Sequence, residues 1–175
     1  RGTKHDHHAG FMKWIAPALV YLAVGLGLFQ FHSGWGALLG FHIVIIVSLL
    51  IVKPHVPITV LLKSTNIKWI LLSILLCGGG GVALYFLWDV FKVASDLPAQ
   101  VAALGLNSAI WPAFIAYFAL VNPFIEEYFW RGYFGSPTKS LYLYDFIYSG
   151  FHFLILVNKV HSYSIIFGLF VLVFA

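Results

Sequence analysis

Long apolar runs broken by short polar connections make up most of this chain. A hydrocarbon layer about 30 Å thick is crossed by about 20 apolar residues in helical form. Six stretches come near that length, at residues 14 to 30, 37 to 52, 69 to 88, 109 to 125, 142 to 157 and 161 to 175. They predict an all-α fold: a polytopic transmembrane helical bundle with about six membrane segments. The last run is still apolar where it stops at Ala175, so the bundle is expected to be truncated at its C-terminal end. The fourth is expected to continue as helix through Glu126 and Arg131.

The connections divide the chain into a polar N-terminal tail (1–13), N-terminal membrane helices with connecting surface segments (14–108), and a chemistry-bearing membrane region (109–175). Between Lys53 and Lys68, Pro54, Pro57 and the short apolar patch from Ile58 to Leu62 predict a surface-lying or re-entrant piece. Residues 90 to 106 predict a weak amphipathic helix. The glycine run Gly78, Gly79, Gly80, Gly81 is read as a site of close helix approach.

Composition strengthens the membrane reading. Only 9% of the 175 residues are charged and 61% are apolar, against about a quarter charged in soluble domains. Lipid is therefore the expected solvent and the first expected partner. The ten Lys and Arg are scattered singly, with no basic face or stacking platform, which excludes nucleic acid. They alternate instead: Arg1, Lys4 and Lys13 precede the first segment, none separates the first two, and Lys53, Lys63 and Lys68 follow the second. Asp89 and Asp96 offset Lys92; Arg131 and Lys139 lie in the next connection, and Lys159 stands alone in the last. Positive charge is retained on the cytoplasmic side, which places the N-terminus and the stretch from Glu126 to Lys139 there in a multi-pass protein of the cell membrane.

No cofactor or metal is expected. One cysteine, Cys77, allows neither an intrachain disulfide nor a Cys-based zinc site. The cluster His5, Asp6, His7, His8 is read as a terminal polar tract. His32 and His55 read as loop residues, and His42, inside an apolar run, as a hydrogen-bonded packing residue. No His-Glu-x-x-His pairing occurs, which argues against a zinc peptidase.

Chemistry concentrates where the fourth apolar run ends, in Asn122-Pro123-Phe124-Ile125-Glu126-Glu127-Tyr128-Phe129-Trp130-Arg131-Gly132. Two adjacent carboxylates beside hydrocarbon are costly and point to a function. On an α-helix Glu127 and Arg131 are four apart and form a charge-assisted pair. Glu126 lies about 100° round from Glu127 and is not used up by it. Such a carboxylate is suited to take a proton from water as the water attacks an amide carbonyl, and to return it to the leaving nitrogen. The companion is His152 in a later run, with Tyr148 four and Asp145 seven positions earlier on one helical face. It is expected to hold the same water or to donate to the oxyanion.

These residues resemble the CPBP family of intramembrane proteases, which includes the CAAX prenyl endopeptidase and bacteriocin-processing relatives. The first family motif, two glutamates followed after three residues by arginine and glycine, appears as Glu126, Glu127, Arg131 and Gly132 with Trp130 before the arginine. The second, an aromatic four residues before a histidine, appears as Tyr148 and His152, with Tyr where Phe is more common. The resemblance covers about 30 residues. It implies a metal-independent glutamic endopeptidase in which Glu126 activates water, His152 positions it or stabilises the transition state, and Glu127 and Arg131 support them. Tyr148 and Trp130 are the candidate substrate-binding residues, and the implied partner is a membrane-associated protein or peptide substrate. A third family motif, histidine followed four residues later by asparagine or aspartate, is not found, and His161 followed by Ile165 does not supply it. A non-enzymatic scaffold or bacteriocin-immunity protein of the same family is the alternative. A proton-coupled transporter ranks below both, since no internal repeat is visible.

Overall fold

The structure, a computed structural model, describes residues 4–52, 82, 83, 85–134 and 141–173, with positions 54, 57, 59, 67, 68, 71, 75 and 79 between them; for 4–13 and 131 it describes the backbone. The described residues are all-α, without a β-strand. In order they form α1 (Lys4–Gly25), α2 (Gly34–Ile51), α3 (Leu97–Ala103), α4 (Trp111–Leu120), α5 (Asn122–Glu127), α6 (Leu143–Leu156) and α7 (Ser162–Val173). Two π-helical turns continue α1 and α5, at Leu26–Gln30 and Tyr128–Tyr133.

α1 and α2 form a tight antiparallel hairpin. Ala16, Val20, Val24 and Leu28 recur every four residues and meet Ala37, Phe41 and Ile45, which repeat the same spacing on α2. The reversal is made by His32, at φ 46°, and by Ser33, whose Oγ accepts the Gly36 N–H at 2.9 Å and so caps α2. The helices touch most closely where Gly27 faces the Ala37 backbone, leaving no room for a Cβ. Gly27→Ala should therefore separate α1 from α2 and cost about 1–3 kcal/mol, read as a lowered midpoint of thermal unfolding in lipid.

α6 packs across this hairpin. The Tyr21 hydroxyl donates to the Ile147 carbonyl at 2.8 Å, and Phe151 stacks on Phe41 with ring centres 5.5 Å apart. The Ser149 hydroxyl donates to Leu169 O and ties α6 to α7. The turn between these helices is held from outside: Ala94 N–H donates to Lys159 O at 2.7 Å, Ser164 Oγ to Phe91 O at 2.7 Å, and Tyr163 Oη to Val90 O.

Several expectations change in detail. Among the described residues, Gly34–Ile51 alone is long and apolar enough to cross a membrane; Trp14–Gln30, Leu143–Leu156 and Ser162–Val173 are shorter apolar helices. The run 109–125 is broken at Val121, because Pro123 has no N–H to carry the helical ladder forward and α5 starts afresh with it in its first turn. Continuation through Glu126 and Arg131 does occur, first as α5 and then as the π-helical turn. The expected amphipathic helix at 90–106 shrinks to the seven residues of α3. Gly78, Gly80, Gly81, Cys77 and most of the 53–68 stretch lie outside the described residues, as do the side chains of His5, Asp6, His7 and His8.

Candidate functional site

The break at Val121 starts α5 with Asn122, four residues before Glu126. That spacing puts both side chains on one face, and Asn122 Nδ2 donates to Glu126 Oε2 at 2.8 Å. The asparagine is 6% exposed. Its Oδ1 lies 3.0 Å from His42 Nε2, and His42 Nδ1 lies 2.9 Å from the Tyr117 hydroxyl. Glu126 thus sits at the end of a polar chain that crosses α2, α4 and α5 through otherwise apolar packing. Its other oxygen, Oε1, is buried without a hydrogen-bond partner among the described residues. Leaving such an acceptor unsatisfied costs about 1–3 kcal/mol, more for a charged group, which marks it as a place where a further donor belongs.

His152 approaches from α6. Its Nδ1 lies 3.1 Å from the Tyr148 carbonyl oxygen one helical turn back. A carbonyl accepts only, so Nδ1 carries the hydrogen, and in the neutral ring Nε2 is left as an acceptor. The ring is set by Phe151, 4.1 Å away between centres, and by the edge of Tyr148 at 5.1 Å.

Both residues line one cavity of about 390 Å³ between α1, α2, α4 and α6. Its walls are Leu28, Leu38, Phe41, Phe114, Phe118 and Phe151, with Asn122, Glu126, His152 and Lys159 as the polar members. Burial pushes the Lys159 ammonium, in the connection between α6 and α7, below its ordinary value. A cavity walled by hydrocarbon with a few convergent polar groups is the usual form of a small-molecule or peptide site.

The other predicted residues fall elsewhere. Glu127 is exposed and turned away from the cavity that its neighbour lines. The side chain of Arg131 lies outside the described residues, and with it the expected Glu127–Arg131 pair. Trp130 is 5% exposed and packs in the aromatic core, 9° from parallel with Phe151 and edge-on to Tyr148 at 5.5 Å. Neither Trp130 nor Tyr148 is among the side chains that line the cavity. The Asp145 carboxylate accepts the Tyr142 N–H at 2.7 Å, capping the start of α6.

The sequence offered no signal for Tyr117, and none for a link from His42 to Glu126, because the linked positions are up to 80 residues apart. Asn122 carries one in retrospect: an amide four residues before a carboxylate at the start of a helix is placed to hold it. Among the described residues no three His, Cys, Asp or Glu side chains gather as they would around a metal ion. Set against protein-family models, curated proteins and solved structures, the chain matches none of them.

Proposed function

We propose that the chain is a multi-pass membrane endopeptidase of the CPBP type, which hydrolyses a peptide bond in a membrane-associated protein through a water activated by Glu126. The observation that carries this reading is the meeting of Glu126 and His152, 26 positions apart in the chain, on one apolar cavity. Each has an acceptor left over: Glu126 Oε1 is buried without a hydrogen-bond partner among the described residues, and the bond that His152 Nδ1 makes leaves Nε2 as an acceptor.

Two acceptors are what a nucleophilic water needs. It donates one hydrogen to each, and its remaining lone pair is left for the substrate carbonyl. As the oxygen–carbon bond forms, Glu126 Oε1 takes the proton, since Oε2 is occupied by Asn122. The protonated carboxyl then gives that proton to the amide nitrogen as the carbon–nitrogen bond breaks, leaving a carboxyl and an amine. His152 serves as a water-holding residue in this scheme. The alternative role as an oxyanion donor fits less well, because its one neutral-form N–H already goes to Tyr148 O.

The membrane setting is supported by the outward faces. Ile43, Ile46, Val47 and Leu50 on α2 and Ile166, Phe167 and Phe170 on α7 are all more than two-fifths exposed. Only 33% of the apolar window of α2 is buried inside the protein. Apolar surface of that extent is stable against lipid and costly against water. With the shorter apolar helices included, it supports several spans, and the charge alternation supports a cytoplasmic N-terminus.

The test is to compare the termini of membrane-associated proteins, by mass spectrometry, in cells carrying the wild-type chain or Glu126→Gln at equal level. Termini that disappear only with Gln support the protease and name its substrates. Matching profiles would make Glu126 structural and favour the scaffold or immunity reading.

A further inference from the structure

The polar chain behind Glu126 has a direction, and chemistry fixes it from the carboxylate backwards. An ionised carboxylate only accepts hydrogen bonds, so the group facing Glu126 Oε2 at 2.8 Å must be the Asn122 amide nitrogen. The amide oxygen then faces His42 and can only accept, so His42 Nε2, at 3.0 Å, carries the ring hydrogen. In a neutral ring Nδ1 is therefore bare, and the Tyr117 hydroxyl at 2.9 Å donates to it. Each hydrogen bond points the same way, Tyr117 to His42 to Asn122 to Glu126, and such aligned chains strengthen one another.

The placement suits that role. Asn122 alone is a poor anchor, since an amide at a helix start can rotate or turn over. His42 is 2% exposed, held on a different helix and wedged against Phe41 and Tyr117. It leaves the amide one orientation. We infer that His42, backed by Tyr117, is a positioning residue that acts through Asn122 to fix Glu126 Oε2 and so leaves Oε1 as the one oxygen that exchanges protons at the cavity. This role presupposes the base function proposed for Glu126; the direction of the chain presupposes only that Glu126 is ionised.

Two measurements separate those claims. In chain labelled with ¹⁵N-histidine and reconstituted in lipid nanodiscs, subtraction of the His42→Phe spectrum isolates the His42 ring. It should be neutral, with hydrogen on Nε2 and a hydrogen-bonded Nδ1, and Tyr117→Phe, which removes one hydroxyl, should shift Nδ1. Hydrogen on Nδ1, hydrogen on both nitrogens, or no shift in Tyr117→Phe overturns the directed chain whatever the protein does.

The second measurement is the rate at which Glu126-dependent termini appear in pulse-labelled cells. His42→Gln places an amide nitrogen near Nε2 and should keep cleavage close to wild type. His42→Asn and His42→Phe cannot reach Asn122 with a donor and should slow it roughly 10- to 100-fold, the loss of one hydrogen bond to a charged network. Wild-type rates in all three, with Glu126→Gln inactive, would overturn the positioning role and leave the protease standing. Wild-type cleavage in Glu126→Gln as well would remove the base function, and the positioning role with it.

Discussion

Glu126→Gln should reduce Glu126-dependent cleavage by roughly 10²- to 10⁴-fold, the span that a positioned general base supplies. The amide is nearly the carboxylate's shape and can still meet Asn122 through its oxygen, so the fold and the protein level should be unchanged. What is lost is the basic oxygen that is proposed to take the proton from water. Glu126→Asp is the sharper companion. It keeps the charge but withdraws the carboxylate by one methylene, and a displacement on the order of 1 Å can cost about 10²-fold. If Asp restored full cleavage, Glu126 would be acting as a charge and not as a base at a fixed position.

His152→Phe should have the second largest effect, about 10²-fold, because the water loses one of its two acceptors and with it the orientation of its lone pair. The ring already lies 4.1 Å from Phe151 and 5.1 Å from Tyr148, so a phenyl group fits the same place and the packing should survive. His152→Gln offers an amide oxygen close to the position of Nε2 and should recover part of the loss. Equal damage from Phe and Gln, accompanied by lower protein level, would mean that His152 holds α6 in place and does not touch water. Terminal mass spectrometry with matched expression distinguishes these outcomes.

Much of the helical outline was legible because it depends on local sequence. Apolar runs with no neighbouring charge give helix whatever they pack against, and α2, α6 and α7 lie close to where run length put them, while α1 begins at Lys4, ten residues before the run at 14–30 and inside the stretch read as a polar tail. The break within 109–125 was available in principle, since Pro123 removes a donor wherever it stands, but apolar content alone reads straight across it. Segment lengths were less accessible: the run at 142–157 shortens to 14 residues. Helix ends depend on caps such as Asp145, and on turns such as the one at Asn158, with φ 63°.

The candidate site divides in the same way. Glu126 and His152 stood out by themselves, because a carboxylate and an imidazole beside hydrocarbon are expensive at any position and the cost can be read from one residue at a time. The fate of their neighbours could not be read so. Glu127 is chemically identical to Glu126, and the register of a single short helix turns one to the cavity and the other to the surface. Trp130 and Tyr148, read as substrate contacts, pack against each other beside Phe151, because aromatic faces are satisfied by whatever the fold brings near.

What the sequence determined by itself is an all-α chain with costly polar groups at two places, for backbone hydrogen bonding and desolvation are local and additive along the chain. What only the tertiary structure decided is which of those groups meet. His42 and Asn122, 80 positions apart, make one hydrogen bond of 3.0 Å, and no spacing rule reaches across that distance: the contact exists because α4 stops at Val121 and α5, starting afresh at Asn122, packs against α2.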